Sequence, residues 1–483
     1  MRRNSIVAVL LAAAAAPFTV AFEELLQRRD LRQPLPLSVD GRWILDAKNE
    51  SIALVGVNWP GHLETMLPEG LQYQSVSNIV TKIAEIGFNS VRLTFASEMV
   101  DDIVERGGDV SLKVTLEKAL GSENGTKVMK QIMKNNPSFN ESTKRLDIWN
   151  AVAGELAKQD LFLHLDNHVS KAVWCCDPFD GNSWFGDTHF NTSNWVRSLS
   201  FMAEHGKANW KSFSSMGLRN ELRPPLDNPQ PPAELDLWET WKTRMLQGAN
   251  AIHNANPEIL IFFGGRLGDK DIGDPVRGSS LAEPNFNFSI AEQPFKNKFV
   301  FELHQYDSDL LRLYIVGDQG SFNETFDVLG GNTTTASLPG SNKAPLVISE
   351  WGHDQTDKSG VYKQEFHKFL FDYMIGRSLH WMVWTIGGSY YVREGKADYD
   401  ETWGLLDHKW DSFQGKDSIK ALQAEMRATY KSLNQSMPPA TKDVGKGSGG
   451  VHSPQLRGAA AGVSSSLFVA FAFALVVAFT TVL

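Results

Sequence analysis

The sequence predicts an α/β chain built as a single (β/α)8 TIM barrel, with an N-terminal β-hairpin and elaborated βα loops. Three observations predict it. Eight short apolar segments of strand character alternate with segments of helical period. Such alternation implies a parallel sheet, and eight is the strand number that closes into a barrel. A chain of 483 residues is long enough for that barrel, about 250 residues in its plain form, with room for long loops. Finally, polar and ionisable residues collect where the strands should leave the core, which is the functional end of this architecture.

The elements follow in order. Ser38 to Leu45 is expected to be a hairpin turning at Asp40-Gly41. Ile52 to Trp59 reads as the first barrel strand. Val76, Ile79, Ile83 and Ile86 then recur at helical spacing, and Gly87 ends the helix. Phe88 to Phe95 is the second strand and carries Arg92. The mixed stretch from Ser97 to Thr143 is expected to be an elaborated loop rather than a domain. Trp149, Val152, Ala153 and Leu156 mark the next helix. Leu161 to His168 is the third strand, followed by a loop rich in Trp, Gly and Cys, and a helix from Asn194. Ser215 to Asn220 is the fourth strand, with a Pro-rich loop, Pro224 to Pro232, beyond it. Trp238, Trp241, Met245, Ala249 and Ile252 give a helix. Ile259 to Phe263 and Phe299 to His304 are strands five and six, and Leu346 to Ile348 is the seventh. Tyr362, Phe366, Phe369 and Tyr373 predict a helix, Trp381 to Ile386 the eighth strand, and Ser418 to Leu433 the last helix.

Two of these strands end in a carboxylate: Glu221 after the fourth and Glu350 after the seventh. A Glu at the end of a buried strand is costly unless it reaches solvent or is held by partners. On strands four and seven the pair would face each other across the barrel mouth. Two carboxyls about 5 Å apart suit a retaining glycosidase, one as nucleophile and one as acid/base. The nucleophile needs a low pKa from cationic or hydrogen-bonding neighbours; the acid must start protonated. Arg92 is placed to hold Glu350 ionised, and Tyr306 to donate to it. Asn220 is placed to bond the sugar 2-hydroxyl, and Trp384 to floor the ring. His304 fits equally well as a satisfied core histidine.

Together, Gly56-Val57-Asn58-Trp59, Asn89-Ser90-Val91-Arg92-Leu93, Asp166-Asn167-His168, Leu218-Arg219-Asn220-Glu221, His304-Gln305-Tyr306, Ile348-Ser349-Glu350-Trp351-Gly352 and Trp384 resemble glycoside hydrolase family 5. The resemblance covers about Leu37 to Leu433. It implies a (β/α)8 cellulase-type barrel with a retaining mechanism, Glu221 as acid/base and Glu350 as nucleophile. It further implies that Arg92, His168, Asn220, His304, Tyr306 and Trp384 surround the sugar at the cleavage site. Trp174-Cys175-Cys176 with Asp180-Gly181-Asn182 is similar to the plant and microbial cellulase-like branch of that family. The insertion at Ser97 to Thr143 departs from the compact pattern and bears on the shape of the cleft. The implied activity is hydrolysis of a β-glucan, foremost β-1,4-glucan, with mannan, xyloglucan, β-1,3-glucan and transglycosylation open.

Two rival readings are weaker. His164, Asp166 and His168 share one face of a strand, as metal ligands would, but no further His cluster completes a site. A catalytically silent glycan-binding protein on the same barrel is at odds with the presence of both Glu residues.

Composition and ends bound the setting. A net charge of −9, without a basic stripe, argues against a nucleic-acid partner. Met1-Arg2-Arg3 and the apolar run Ile6 to Ala16 read as a secretory signal peptide over 1–21. Residues 434–466 read as a linker and attachment region, and 467–483 as a hydrophobic tail. A GPI-attachment signal is favoured there over a tail-end membrane helix. Eight sequons, at Asn49, Asn124, Asn140, Asn191, Asn287, Asn323, Asn332 and Asn434, agree with secretion. The only cysteines, Cys175 and Cys176, are neighbours; a bond between them and two free buried thiols are both open. The expected protein is therefore an extracellular monomer whose partners are a polysaccharide or oligosaccharide and, through its anchor, a membrane. No cofactor and no metal is expected.

Overall fold

The computed structural model describes residues 34–225, 236–307 and 318–438. The expected signal peptide, the hydrophobic tail, nearly all of the attachment region and most of the Pro-rich loop lie outside them. A hairpin opens the described chain, β1 (Ser38–Asp40) against β2 (Trp43–Leu45), with Gly41 in the left-handed turn the Asp-Gly pair favours. Eight parallel strands follow: β3 (Val55–Trp59), β4 (Ser90–Ala96), β5 (Phe162–Val169), β6 (Phe213–Gly217), β7 (Leu260–Phe263), β8 (Phe299–Gln305), β9 (Leu346–Trp351) and β10 (His380–Val383). They form a closed barrel in sequence order, with β10 returning to pair with β3.

Two bodies of apolar contact hold the barrel. Leu54, Phe162, Leu260, Phe262, Val300, Val347 and Met382, from the N-terminal ends of the strands, pack with Leu37, Ile44 and Ile52. The hairpin thus plugs the bottom of the barrel. The larger cluster lies between the outer face of the strands and the helices. The first helix, α1 (Val76–Ile86), shows why the local sequence specifies its element. Ser75 caps it by accepting the Asn78 N–H, and Gly87, at φ 110°, ends it in a conformation other residues avoid. Its Val76, Ile79, Val80, Ile83 and Ile86 form the stripe buried against the barrel.

The stretch from Ser97 to Thr143, expected as a loop, instead folds into three helices: α2 (Ser97–Arg106), α3 (Leu112–Leu120) and α4 (Ser122–Asn135). Ser111 caps α3, and the buried Arg145 ties the insertion to α5 (Arg145–Lys158) by ion pairs to Asp109 and Asp102. The helices α6 (Thr192–Asn209) and α7 (Trp238–Ala255) lie where the periodicity places them. After β7 comes the short α8 (Gly273–Arg277), and α9 (Gln319–Val328) precedes β9. Next is α10 (Glu365–Gly376); Tyr362 falls just before it, in a 3-10 turn, rather than on the helix. A hairpin absent from the sequence reading, β11 (Ser389–Arg393) with β12 (Lys396–Asp400), rises after β10, and α11 (Lys416–Ser432) closes the barrel wall. Because β6 ends at Gly217, Glu221 sits on the loop beyond the strand rather than directly at its end.

Truncating Ile83 tests the helix–barrel packing. Ile83→Ala is expected to lower the urea-unfolding free energy by about 3 kcal/mol, from lost burial plus the cavity left behind. A loss below about 1 kcal/mol would mean that α1 does not pack as described.

Candidate active site

The C-terminal ends of the strands converge on Arg92. This β4 residue is fully buried, and its guanidinium is shared among four neighbours. Nη1 donates to Asn58 Oδ1 at 2.9 Å and to Glu350 Oε1 at 2.6 Å. Nη2 donates to Asn220 Oδ1 at 2.9 Å and pairs with Asp166 Oδ1 at 3.0 Å. Burial alone would lower the pKa of Arg92, but Asp166, Glu350 and Glu302 outweigh it and raise it. Asn58 in turn donates to the Ser349 and Val383 carbonyls, fixing β3 to the ends of β9 and β10.

Around this centre stand the residues the sequence singled out. Tyr306 donates to the second oxygen of Glu350 at 2.9 Å. Asp166 Oδ2 meets His168 Nδ1 at 2.7 Å, and the His168 ring stacks on Trp384 at 5.5 Å and 12°. His304, on β8, faces both carboxylates: its Nδ1 lies 2.9 Å from Glu221 Oε1 and 3.6 Å from Glu350 Oε2. One oxygen of each carboxyl and a His304 ring nitrogen all lie within 4.8 Å of one another. Glu221 itself adopts a left-handed backbone, φ 48°, which a non-glycine residue holds only where its surroundings enforce it. The eight predicted residues therefore meet in one place. His164 does not join them, because its Nδ1 pairs with Ser215 Oγ.

The charges are arranged differently from the sequence expectation of an ionised nucleophile beside a protonated acid. Burial opposes a charge on His304, yet Glu350, Glu221 and Asp269 together raise its pKa to about 9. Burial would raise Glu221, but the His304 bond, Lys270 and Arg223 bring it down to about 2. Burial raises Glu350, with the charge of Glu221 adding to it; His304, Arg92 and Tyr306 pull the other way. His304 thus holds a proton in preference to Glu221, while Glu350 is shifted upward. No residue pattern signals this, since it depends on a ring nitrogen reaching both groups across the barrel.

The cavity above this cluster has a volume of about 410 Å³. Trp174, Trp384 and Trp403 line it, with Arg393 and Tyr399 of the β11–β12 hairpin. Arg393 lies 3.4 Å over the Trp174 ring and 4.8 Å from that of Tyr399. Cys175 and Cys176 are bonded to each other on the same wall, which decides between the two readings left open. The Asn220 amide donates to Cys176 Sγ at 3.3 Å. Among these, Asn58 and Trp174 stand in motifs the sequence displayed, whereas Arg393 and Trp403 depend on a hairpin that it did not. The turn residues Glu394-Gly395 were the available signal.

Comparison with known proteins bears on this arrangement. The family model described as cellulase (glycosyl hydrolase family 5) matches residues 45–389. A glycosyl hydrolase 5 family protein of Chamaecyparis obtusa is 33% identical over 397 residues, 80% of this chain and 66% of that protein. The chain thus spans just under two thirds of that relative's length. Endoglucanase G of Acetivibrio thermocellus is 21% identical over 448 residues, 85% of this chain and 75% of its own. Among solved structures, the catalytic domain of the major endoglucanase from Xanthomonas campestris pv. campestris superposes with a TM-score of 0.59 at 16% identity. It covers 80% of this chain and 99% of that domain. An endocellulase of Pyrococcus horikoshii, solved in complex with cellotetraose, gives the same TM-score and identity over 81% and 99%. At such identities these two likenesses are of fold.

The two shifted groups set a pH window for stability. His304, raised from 6.5 to about 9, contributes stability that is complete below its unfolded pKa and lost as pH rises through about 9. Glu221, lowered from 4.5 to about 2, contributes stability present above 4.5 and lost as pH falls toward 2. Tm is therefore expected to fall on the alkaline side in the wild type, and the fall to flatten in His304→Gln. An unchanged alkaline slope in that variant would remove His304 as its source.

Proposed function

The chain belongs to glycosyl hydrolase family 5, and on that premise we propose that it is a retaining endo-β-glycosidase cleaving β-1,4-glucan by double displacement. The observation that carries the reading is the approach of the two carboxyls to within 4.8 Å, the short separation suited to a covalent intermediate rather than to an intervening water. Glu350, oriented by Arg92 and Tyr306, attacks the anomeric carbon. Glu221 protonates the departing oxygen and then takes a proton from the water that releases the sugar. The proton comes from His304: Nδ1–H passes it over 2.9 Å to Glu221 Oε1, leaving a neutral imidazole, and the second half-reaction returns it. Sugar binding favours this transfer, because expelling water favours the uncharged imidazole–carboxylic acid pair over two separated charges.

The cavity supports a glucan as substrate. Flat, fully equatorial sugar faces stack on aromatic rings, and Trp174, Trp384 and Trp403 offer three beside the reacting groups. The relative from Acetivibrio thermocellus and the neighbour from Xanthomonas campestris are endoglucanases by description. The proposed setting is extracellular, with a GPI anchor, and the chain acts as a monomer. Asn49, Asn124, Asn140, Asn191, Asn287 and Asn434 are exposed, and Asn323 and Asn332 half-buried, so each sequon side chain has some access to solvent.

A panel of soluble polysaccharides tests both class and substrate. Carboxymethyl cellulose and mixed-linkage glucan are expected to be cut, with Glu350→Gln lowering activity at least about 10⁴-fold and Glu221→Ala about 10²–10⁴-fold. Azide should partly rescue Glu221→Ala, since it needs no general base, and should leave Glu350→Gln inactive. Preference for mannan or β-1,3-glucan would move the substrate within the family. Full activity in Glu350→Gln would overturn the mechanism.

The rate is expected to be bell-shaped in pH, its acidic limb from Glu350 and its alkaline limb from the Glu221–His304 pair. An alkaline limb unmoved in both Glu221→Ala and His304→Gln would count against that assignment.

A further inference from the structure

Behind the acid/base lies Asp269, a residue with no part in the steps above. It sits on the loop after β7, fully buried and in a left-handed conformation of its own, φ 57°. Three contacts place it. Its Oδ2 accepts the backbone N–H of Glu221, at the left-handed turn, at 2.6 Å. Its backbone carbonyl accepts the N–H of His304 at 2.8 Å. The same Oδ2 faces the far ring nitrogen of His304, Nε2, at 3.9 Å. The room for this carboxyl is made by Gly264, at the end of β7: a Cβ there would stand 2.3 Å from Asp269 Oδ1.

We propose that Asp269 is the positioning residue of the acid/base pair, clamping the Glu221 backbone in its turn and holding His304, by main chain and carboxylate together, with Nδ1 aimed at Glu221. The proposal rests on the reading of Glu221 as acid/base and deepens it. A buried carboxylate behind an imidazole stabilises its positive form; here Asp269 Oδ2 lies 3.9 Å from one ring nitrogen, beyond hydrogen-bond reach, with two carboxyls on the other nitrogen and the ring's backbone held by the Asp269 carbonyl. Without it, Glu221 is free to leave the strained left-handed conformation. The charged groups facing this cluster are His304 and Glu302 from β8, Glu221 and Arg223 from the β6 loop, Glu350 from β9, and Lys270 next to Asp269. Burial raises Asp269 to about 8 against the pull of His304, so its charge develops in the alkaline range where His304 gives up its own proton, and it is there that Asp269 supports the imidazolium.

The test separates positioning from folding. Asp269→Asn keeps an oxygen to accept the Glu221 N–H but removes the charge, and Gly264→Ala leaves Asp269 in place but displaces its carboxyl. Each is assayed on cello-oligosaccharide, whose leaving group needs protonation, and on dinitrophenyl β-cellobioside, whose leaving group does not. The expected result for both is a fall in kcat/KM of about tenfold or more on cello-oligosaccharide and within about threefold on the dinitrophenyl substrate. In Asp269→Asn the alkaline limb also moves to lower pH, because His304 loses a stabilising charge. Equal losses on both substrates, or an unmoved alkaline limb, would overturn the proposal. A variant that fails to fold leaves a measurement on the wild type: 15N NMR of His304, assigned by its loss in His304→Gln, should show an imidazolium at about pH 7. A neutral ring there would overturn it as well. A wild type that cleaves neither substrate would instead sink the glycosidase reading on which the proposal stands.

Discussion

The site depends on one buried cation. Arg92 is fully enclosed, and placing a guanidinium there is costly unless its terminal nitrogens find partners. Asn58, Asp166, Asn220 and Glu350 are those partners, drawn from β3, β5, the β6 loop and β9. Through those four partners the guanidinium fixes Glu350, the Asn220 amide beside Glu221 and the Asp166 carboxylate that orients His168. Barrel closure is what makes this possible, since no local segment could bring five such distant stretches to one group. Breaking any one partner would strand a charge or a dipole in the interior, so the cluster behaves as a unit.

The second constraint is electrostatic. Two carboxyls within 4.8 Å cannot both be ionised in a buried site without a counter-charge, and the barrel supplies two: Arg92 beneath Glu350 and His304 between the pair. The difference between them decides the chemistry. Arg92 keeps its proton at every accessible pH, whereas an imidazole can give one up. A fixed cation therefore sits by Glu350 and a labile one by Glu221, which suits the proposed roles of nucleophile and acid/base.

Much of this was legible in the sequence, and the reason is physical. Strand periodicity and helix stops are local, so the eight strands and α1 could be read from the spacing of apolar residues and from Gly87. Arg92, Glu221, Tyr306 and Glu350 could be read because a charged or polar group within or close after a buried run needs a partner. Other features were not legible. The helices of the Ser97 to Thr143 insertion have short, interrupted stripes, and their packing is anchored by Arg145 from outside the segment. The β11–β12 hairpin is mostly exposed on its second strand, so apolar alternation does not mark it. Asp269 lies in a loop with no periodicity, and its contacts are to a backbone N–H after the preceding strand, β6, and a ring on the next one, β8. The raised pKa of His304 depends on carboxyls that the fold brings to it from other strands and loops. Resemblance supplied the place of His168 and His304, which residue patterns by themselves left ambiguous.

The most direct test of the central claim is to trap the intermediate. A 2-deoxy-2-fluoro-β-cellobiosyl fluoride slows both steps but leaves the first faster than the second, so the glycosyl-enzyme accumulates. Mass spectrometry of the digested protein should then find one cellobiosyl adduct, on the peptide carrying Glu350. An adduct on Glu221, or turnover of ordinary substrate with inverted stereochemistry and no adduct at all, would contradict the account.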